Sequence, residues 1–442
     1  MLNPVSGKRT GTFFKGLGFR ESKTDHKLLS TQMFSAFKLF SIALGILYFF
    51  LSGISTNTSQ NVVDIVKWNL ASLYHSKDYA SFSKFEVSEE TETRSYCLSH
   101  VENPEIFETK EPPTKVDIYI GLLLHSNEKS LVDSWIAETT KLLESLTQKG
   151  ESVFLSIIED GCEKSVKDQL RQFSRKLKEL NFAFHIVLAE KFLGYPHRIY
   201  TLSRIRNCVL RPLILHEMSA TRVLIFNDVT YQFERVLDLI EDRAHYDMKC
   251  GIDYFINNEK SLQLYDLWVM RDMNGDIPRA KYPFFNSYDN DRFVRRLPFR
   301  GYCCWGGIAL LNGSLFQDGI RFRGLPKRPS SGYQSPAECP QSEINYLCND
   351  IWEMREKANI YVYSSLFSVY RPEDLVPVSK HLNRLQTQKA EDITGISSPQ
   401  HRPKSIVCCP WIEGVTNVSG ATTLCFSNDP IYKLPEGPVR SR

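Results

Sequence analysis

The sequence predicts one large α/β domain, built on a parallel sheet with helices on both faces and containing a nucleotide-binding half-sheet. Three observations predict it. Strand-type and helix-type periodicities alternate strictly from Lys115 to Asp228, the signature of βαβ units. Polar residues stand at the ends of successive apolar strands: His125–Asn127, Glu159–Asp160 and Asn227–Asp228. The 442 residues, 42% apolar and 24% charged, suffice for a sizeable core. In such sheets ligands bind beyond the carboxyl ends of the strands, which makes the half-sheet Rossmann-like in use as well as in pattern.

The chain begins with a basic segment, residues 1–33, read as a cytosolic tail. Residues 34–54 follow as a transmembrane signal-anchor. They are uncharged apart from Lys38 and of the length, ~20 residues, that spans a bilayer. Lys8, Arg9, Lys15, Arg20, Lys23 and Lys27 precede the run against only Glu21 and Asp25, so the positive-inside bias leaves the bulk of the chain lumenal. A cleaved signal peptide fits less well, because the basic region is long and no small-x-small site follows Ile54. Residues 55–114, with "EVSEETET" and "KEPPTK", read as a stem. Sequons at Asn57, Asn312 and Asn417 and eleven cysteines suit an oxidising, lumenal setting. The odd count leaves at least one cysteine unpaired. No CxxC…CxxC pattern offers a structural zinc site. The net charge of +3 gives no case for nucleic-acid binding.

The catalytic domain is placed at 115–375. "KVDIYIGLLL" is its first strand, and a helical stripe of Leu131, Trp135, Leu142 and Leu146 follows. "SVFLSIIED" is the second strand, followed by Val166, Leu170, Phe173, Leu177 and Leu180 at alternating spacings of four and three. "FAFHIVLAE" is the third. A helix with Ile199, Leu202, Ile205 and Val209 leads into "RVLIFND". Past Asp228 the alternation loosens. A helix with Phe233, Val236, Leu237 and Ile240 is followed by a strand pair, "MKCGIDYF" and "LQLYDLWVMRD". Residues 279–300 form a basic, aromatic loop. "GYCCWGGIALLN" and the helix "SEINYLCNDIWEM" complete the domain, and 376–442 read as a partly loop-like extension. Cys339 and Cys348 flank the start of that helix and are spaced to pair, although sequence alone fixes no partner.

Asp228 and Asn227 are the candidate metal ligands. Oxygen donors at a strand end suit Mg²⁺ or Mn²⁺, and a cation there would offset the charge of a departing diphosphate in glycosyl transfer. The competing reading is that the pair caps the next helix. Val229 and Thr230 leave no full Asp-x-Asp. Asp253 and Asp266 lie inside apolar runs, where carboxylates need partners, and are candidate catalytic groups with Glu343. Asp272 and Asp276 flank Asn274–Gly275 and read as a hairpin turn. Arg198, Arg206, Asn207, Arg295 and Arg296, with Glu159, are candidates for donor binding, since Arg suits diphosphate; a solvated surface run is the plain alternative. Trp305, Gly306 and Asp350 are candidates for acceptor binding, against a core Trp in a tight turn. Glu343 and Asp350 are seven apart and share a helix face, and Glu343 also suits the helix dipole.

Taken together, "HSNEKSLVDSW", "SIIEDGCEKS", "RIYTLSRIRNCVLRPL", "IFNDVTYQ", "YDMKCGIDY", "YDLWVMRDMNG", "LPFRGYCCWGGIALLN", "RFRG" and "ECPQSEINYLCNDIW" resemble the fungal capsule-associated α-1,3-mannosyltransferase family in order and spacing, from Asp117 to Tyr370. The resemblance implies a GT-A-like fold and a type II Golgi membrane enzyme. It implies GDP-mannose as donor, a glycan or polysaccharide acceptor, and Mn²⁺ (or Mg²⁺). Asp228 would be the counterpart of the family's acidic site in Asn-Asp-Val. The sequence departs at "CCWGG", where Gly306 stands in place of the more usual Asn. An α-linked donor and an α-linked product make the reaction a retaining one. Two alternatives stand beside it: transfer of another sugar, such as xylose or glucose, and a non-catalytic accessory protein in polysaccharide synthesis or export. The Asn227–Asp228 pair favours the enzyme.

Overall fold

A computed structural model describes residues 97, 104–189, 198–324, 338–339, 341–386, 401–408 and 432–433. The expected tail, the anchor over 34–54, most of the stem, and the sequons at Asn57 and Asn417 lie outside the described residues. Among the described residues no helix is long and apolar enough to cross a membrane.

The first half of the domain forms as its periodicity dictates. Strands β2 (Lys115–Leu124), β3 (Val153–Asp160), β4 (Ala183–Ala189) and β5 (Ser219–Phe226) pair in parallel in the order β4-β3-β2-β5. Helices α1 (Lys129–Gln148), α2 (Lys164–Glu179) and α3 (Arg198–Val209) connect them. The stripe residues Leu131, Trp135, Leu142 and Leu146 of α1 are all buried, as are Val166, Leu170, Phe173 and Leu177 of α2. Leu180 falls just past the end of α2 and is exposed. Trp135 meets Phe173 and Phe226 edge-on, which seals α1 and α2 onto one face of the sheet. Alternate strand residues serve opposite faces. Leu224 and Phe226 face the α1–α2 side, and Val223 and Ile225 the other.

The second half departs from an all-parallel sheet. Strand β6 (Met248–Ile256) does not pair with β5. Strand β10 (Ile308–Asn312) lies between them, antiparallel to both, with Ile308 opposite Phe226 and Ala309 opposite Cys250. Beyond β6 come β11 (Ile360–Val369), parallel to it, then β9 (Phe299–Cys303) and β8 (Arg271–Asp272). The expected strand pair is a short hairpin between β6 and β7 (Leu262–Leu264). Strand β1 (Glu105–Glu108) closes the far edge on β4. The sheet is therefore mixed, because "IALLN" returns between two strands that run the other way.

Helix α4 (Phe233–Glu241) follows β5. Helix α5 (Ser287–Val294) occupies part of what reads as a loop at 279–300, capped by Asn286, whose side chain accepts from the Asp289 amide. Helix α6 (Glu343–Met354) begins at Ser342, whose side chain accepts from the Asn345 amide. Helix α7 (Leu375–Gln386) occupies the start of the extension read as partly loop-like over 376–442.

Among the described residues four disulfides cross-link the domain: Cys97–Cys208, Cys250–Cys304, Cys303–Cys348 and Cys339–Cys408. The Cys339–Cys348 pairing does not form. Cys348 lies inside α6 on the face packed against β9 and meets Cys303, while Cys339 reaches Cys408. Cys162 is the free, buried cysteine among the described residues. Asn312 is poorly placed to carry a glycan. Its side-chain carbonyl accepts from the Ser314 amide and its NH₂ points at the Tyr246 carbonyl. Gly313 beside it is packed so tightly that a Cβ would meet the Ala220 carbonyl oxygen.

Candidate active site at the switch point of the sheet

Chain direction across the sheet reverses at β2. The connections through β3 and β4 run to one side, and β5 lies on the other. That is the topological switch point where the ends of adjacent strands leave a crevice. His125 follows β2 there, and Asn227–Asp228 follow β5. The helix-capping reading of Asn227–Asp228 fails, because α4 starts at Phe233 with Gln232 at its N-cap. The Asp228 carboxylate is half-buried, with the backbone amides of Asp228 and His125 facing it. Burial raises its pKa, and those amides, His125 and Arg206 pull the other way.

Asn227 does different work from that expected of a metal ligand. Its side-chain oxygen accepts from Arg206 Nη2 at 3.0 Å and from Trp305 Nε1 at 3.1 Å, which takes both lone-pair directions. Its NH₂ donates to the Tyr370 hydroxyl at 3.2 Å. Arg206 is the hub. Its Nε donates to Glu343 Oε1 at 3.0 Å, its guanidinium lies 4.7 Å from the Trp305 ring centre, and Phe322 lies beyond. Its remaining Nη1 is buried with no partner among the described residues. An unmade bond of that kind costs ~1–3 kcal/mol, so the atom is suited to an anionic oxygen. Glu343 has one oxygen on Arg206 and opens α6 at its positive end.

"CCWGG" holds this hub together. Cys303 ties it to α6, Cys304 to β6, and Trp305 to Asn227. Trp305 is 2% exposed and faces Arg206, so it cannot stack on an acceptor sugar. Gly306, at φ 56°, sits so close to β6 that a Cβ would lie 2.2 Å from the Gly251 carbonyl oxygen. The close approach is to the protein's own backbone, not to a ligand.

Asp253 and Asp266 do come together. Asp253 Oδ1 accepts from the Asp266 amide at 3.2 Å, and Asp253 Oδ2 is buried with no partner. Asp266 Oδ1 accepts from the Trp268 and Val269 amides. Burial, with the Asp266 charge beside it, pushes the Asp253 pKa to about 8; the Tyr370 hydroxyl nearby acts in the opposite sense. Burial raises Asp266 as well. The pair therefore holds a proton at neutral pH. The sign follows from linkage: the folded pKa exceeds the unfolded one, so stability is full below pH ~4 and is lost as pH rises towards 8. Asp253→Asn is expected to remove that slope and raise the melting temperature more at pH 8.5 than at pH 5.5. Parallel melting profiles of variant and wild type across that range would place no proton on Asp253.

Other expected site residues are engaged elsewhere. Glu159 is fully buried and accepts from the Cys162 and Ala189 amides, joining the ends of β3 and β4, so it is unavailable to a donor. Asn207 exchanges two hydrogen bonds with the Phe322 backbone. Asp350 is held by both Arg323 Nε and Nη2, in a cluster with Glu338. Arg295 pairs with Asp291 and Arg296 with Asn383, both on the surface, as the solvated-run alternative has it. Arg198 opens α3 at the rim, within electrostatic reach of Tyr265. Tyr370 and Tyr265 escaped the sequence reading. Tyr370 had a usable signal: it follows the apolar strand β11 as Asn227 follows β5.

A sequence model of the family described as cryptococcal mannosyltransferase 1 matches residues 117–350. No curated protein matches the chain. Solved structures share it loosely. TarS residues 1–349 of S. aureus is 14% identical with a TM-score of 0.32, over 61% of this chain and 65% of that one. Mannosyltransferase PcManGT of Pyrobaculum calidifontis, in complex with GDP-Man and Mn²⁺, is 9% identical with a TM-score of 0.32, over 67% and 68%. HddC of Yersinia pseudotuberculosis is 14% identical with a TM-score of 0.29, over 60% and 99%. Likeness this loose has no bearing on the chemistry.

Proposed function

Since the chain belongs to the cryptococcal mannosyltransferase 1 family, we propose that it is a retaining α-1,3-mannosyltransferase that moves mannose from GDP-mannose to a glycan or polysaccharide acceptor. The observation that carries the reading is Asp228, a carboxylate at the switch point that forms no salt bridge among the described residues and lies within electrostatic reach of a buried arginine with one unspent donor. The mixed sheet with its parallel half supports the GT-A-like fold.

The residues fit a divalent cation in one specific way. Among the described residues no group of three His, Cys, Asp or Glu side chains could hold a metal, so a protein cage is absent. Mg²⁺ and Mn²⁺ in nucleotide sites commonly take one or two carboxylates, with substrate phosphates and water supplying the rest. Asp228 is placed to be that carboxylate. A cation held there by Asp228 would neutralise the charge of the leaving diphosphate. Arg206 Nη1 adds a fixed hydrogen bond to a phosphate oxygen, with no reorganisation because Glu343, Asn227 and Trp305 already hold the guanidinium. Glu343 has an oxygen left to hold a sugar hydroxyl. In a retaining reaction it need not activate water.

The four disulfides and the basic N-terminal flank support a type II Golgi membrane protein with a lumenal domain. Digestion of residues after 55 on intact vesicles without detergent would refute that topology. The activity is tested by a donor screen: full-length protein in mild detergent, Mn²⁺, and GDP-mannose, UDP-xylose or UDP-glucose. GDP-mannose is expected to turn over at least tenfold faster than the others. A faster UDP-sugar would change the donor, and background turnover of every donor would leave the accessory-protein reading.

A further inference from the structure

We propose that the open face of Tyr265 is the platform on which a hexopyranose ring of the acceptor stacks; this rests on the transferase reading above and names a subsite within it. Tyr265 is 52% exposed, one of few large apolar side chains left open among the described residues. Its ring is nevertheless held firmly. It lies 4.3 Å from the Tyr370 ring centre, and Phe255 meets it edge-on at 5.9 Å. Its backbone is fixed too, since the Tyr265 amide donates to the Asp253 carbonyl at 2.9 Å. A rigid ring with one free face loses little entropy when it is covered.

Its surroundings select the occupant. The next residue is Asp266, whose amide reaches Asp253 Oδ1, and Asp253 Oδ2 is buried without a partner. On the other side Tyr370 receives the Asn227 NH₂, which connects the platform to the Asp228 strand end. A pyranose presents an apolar C–H face and a hydroxyl rim. The aromatic ring takes the first, and the half-buried Asp266 carboxylate beside it takes the second, with Asp253 fixing Asp266 from behind through its amide. An anionic ligand is disfavoured there, because Asp253, Asp266 and Asp228 bear on Tyr265 with like sign against the opposing charge of Arg198. A nucleobase would also stack, but the nucleotide-binding half-sheet is β2–β5, whereas Tyr265 follows β7 in the second half. Trp305, the aromatic residue expected in this role, has no open face.

Tyr265→Phe and Tyr265→Ala, made in the full chain, test the assignment. The probes are methyl α-mannopyranoside and α-mannotriose, observed by saturation-transfer NMR with GDP and Mg²⁺ present. Wild type and Tyr265→Phe are expected to transfer saturation to one face of ring C–H protons, and Tyr265→Ala to lose most of it. The acceptor KM should rise about tenfold in Tyr265→Ala, in line with an aromatic contact of ~1.5 kcal/mol. An unchanged sugar contact in Tyr265→Ala overturns the proposal. So does a loss of GDP affinity in that variant, which would give the ring to the nucleotide, and so does absence of sugar contact in wild type. GDP-mannose hydrolysis by wild type, read in parallel, separates the two levels. Its absence with sugar contact intact strikes the transferase reading, and its presence with no contact strikes Tyr265 alone.

Discussion

Asp228→Asn is expected to lower transfer by about 10²–10³-fold, the usual loss when one electrostatic stabiliser of a transition state is removed. It should also need more Mn²⁺ to reach its residual rate. The fold should survive. Asp228 is half-buried, forms no salt bridge among the described residues and caps no helix, and an isosteric amide keeps one oxygen to accept from the facing backbone amides. Burial raises its pKa, which the facing amides, His125 and Arg206 offset in part and a cation at this strand end would offset further. Equal melting temperatures with the activity loss described would locate the effect in the chemistry. Wild-type activity of the variant at limiting Mn²⁺, or full activity of the unaltered enzyme in EDTA, would remove Asp228 from any metal site.

Arg206→Ala is expected to be the most damaging change for stability, by about 3–5 kcal/mol. Both members of the Arg206–Glu343 pair are buried, and truncating one leaves the other charged and unpaired. Asn227 and Trp305 would lose their shared geometry at the same time. Arg206→Lys should rescue little, because one ammonium cannot donate to Glu343 and Asn227 while lying flat on Trp305. The informative control is the pair Arg206→Met with Glu343→Gln. Removing both charges should cost less than Arg206→Ala alone, with activity still lost. If Arg206→Ala melts like wild type, the guanidinium is not the hub described, and the donor-binding role built on it falls too.

The two experiments read different layers of the molecule, and the sequence revealed those layers unequally. The strand–helix alternation was legible because it is local. A stripe such as Leu131, Trp135, Leu142 and Leu146 must bury one face whatever lies opposite, and all four residues do. Asp228 was legible for the same reason, since a carboxylate directly after an apolar strand can only lie at that strand's end. The basic loop misled because charge composition does not say which side of a domain a loop faces. Arg295 and Arg296 satisfy themselves on Asp291 and Asn383. "CCWGG" misled because a Trp beside two glycines reads alike as a ligand platform and as a packed turn, and burial decides between them.

The sequence by itself determined the parallel half of the sheet, the helices that cover it, and the carboxylate at the end of its fourth strand. Each follows from periodicities within about twenty residues. Only the tertiary structure decided the rest. It set β10 between β5 and β6, chose Cys303 over Cys339 as the partner of Cys348, and closed Trp305 over Arg206. It also joined Arg206 to Glu343 across 137 residues. The reason is physical. Local pattern says which face of an element must be buried, but pairing partners are chosen among many faces of equal apolarity, by strand direction, packing and the need to satisfy every buried polar atom at once.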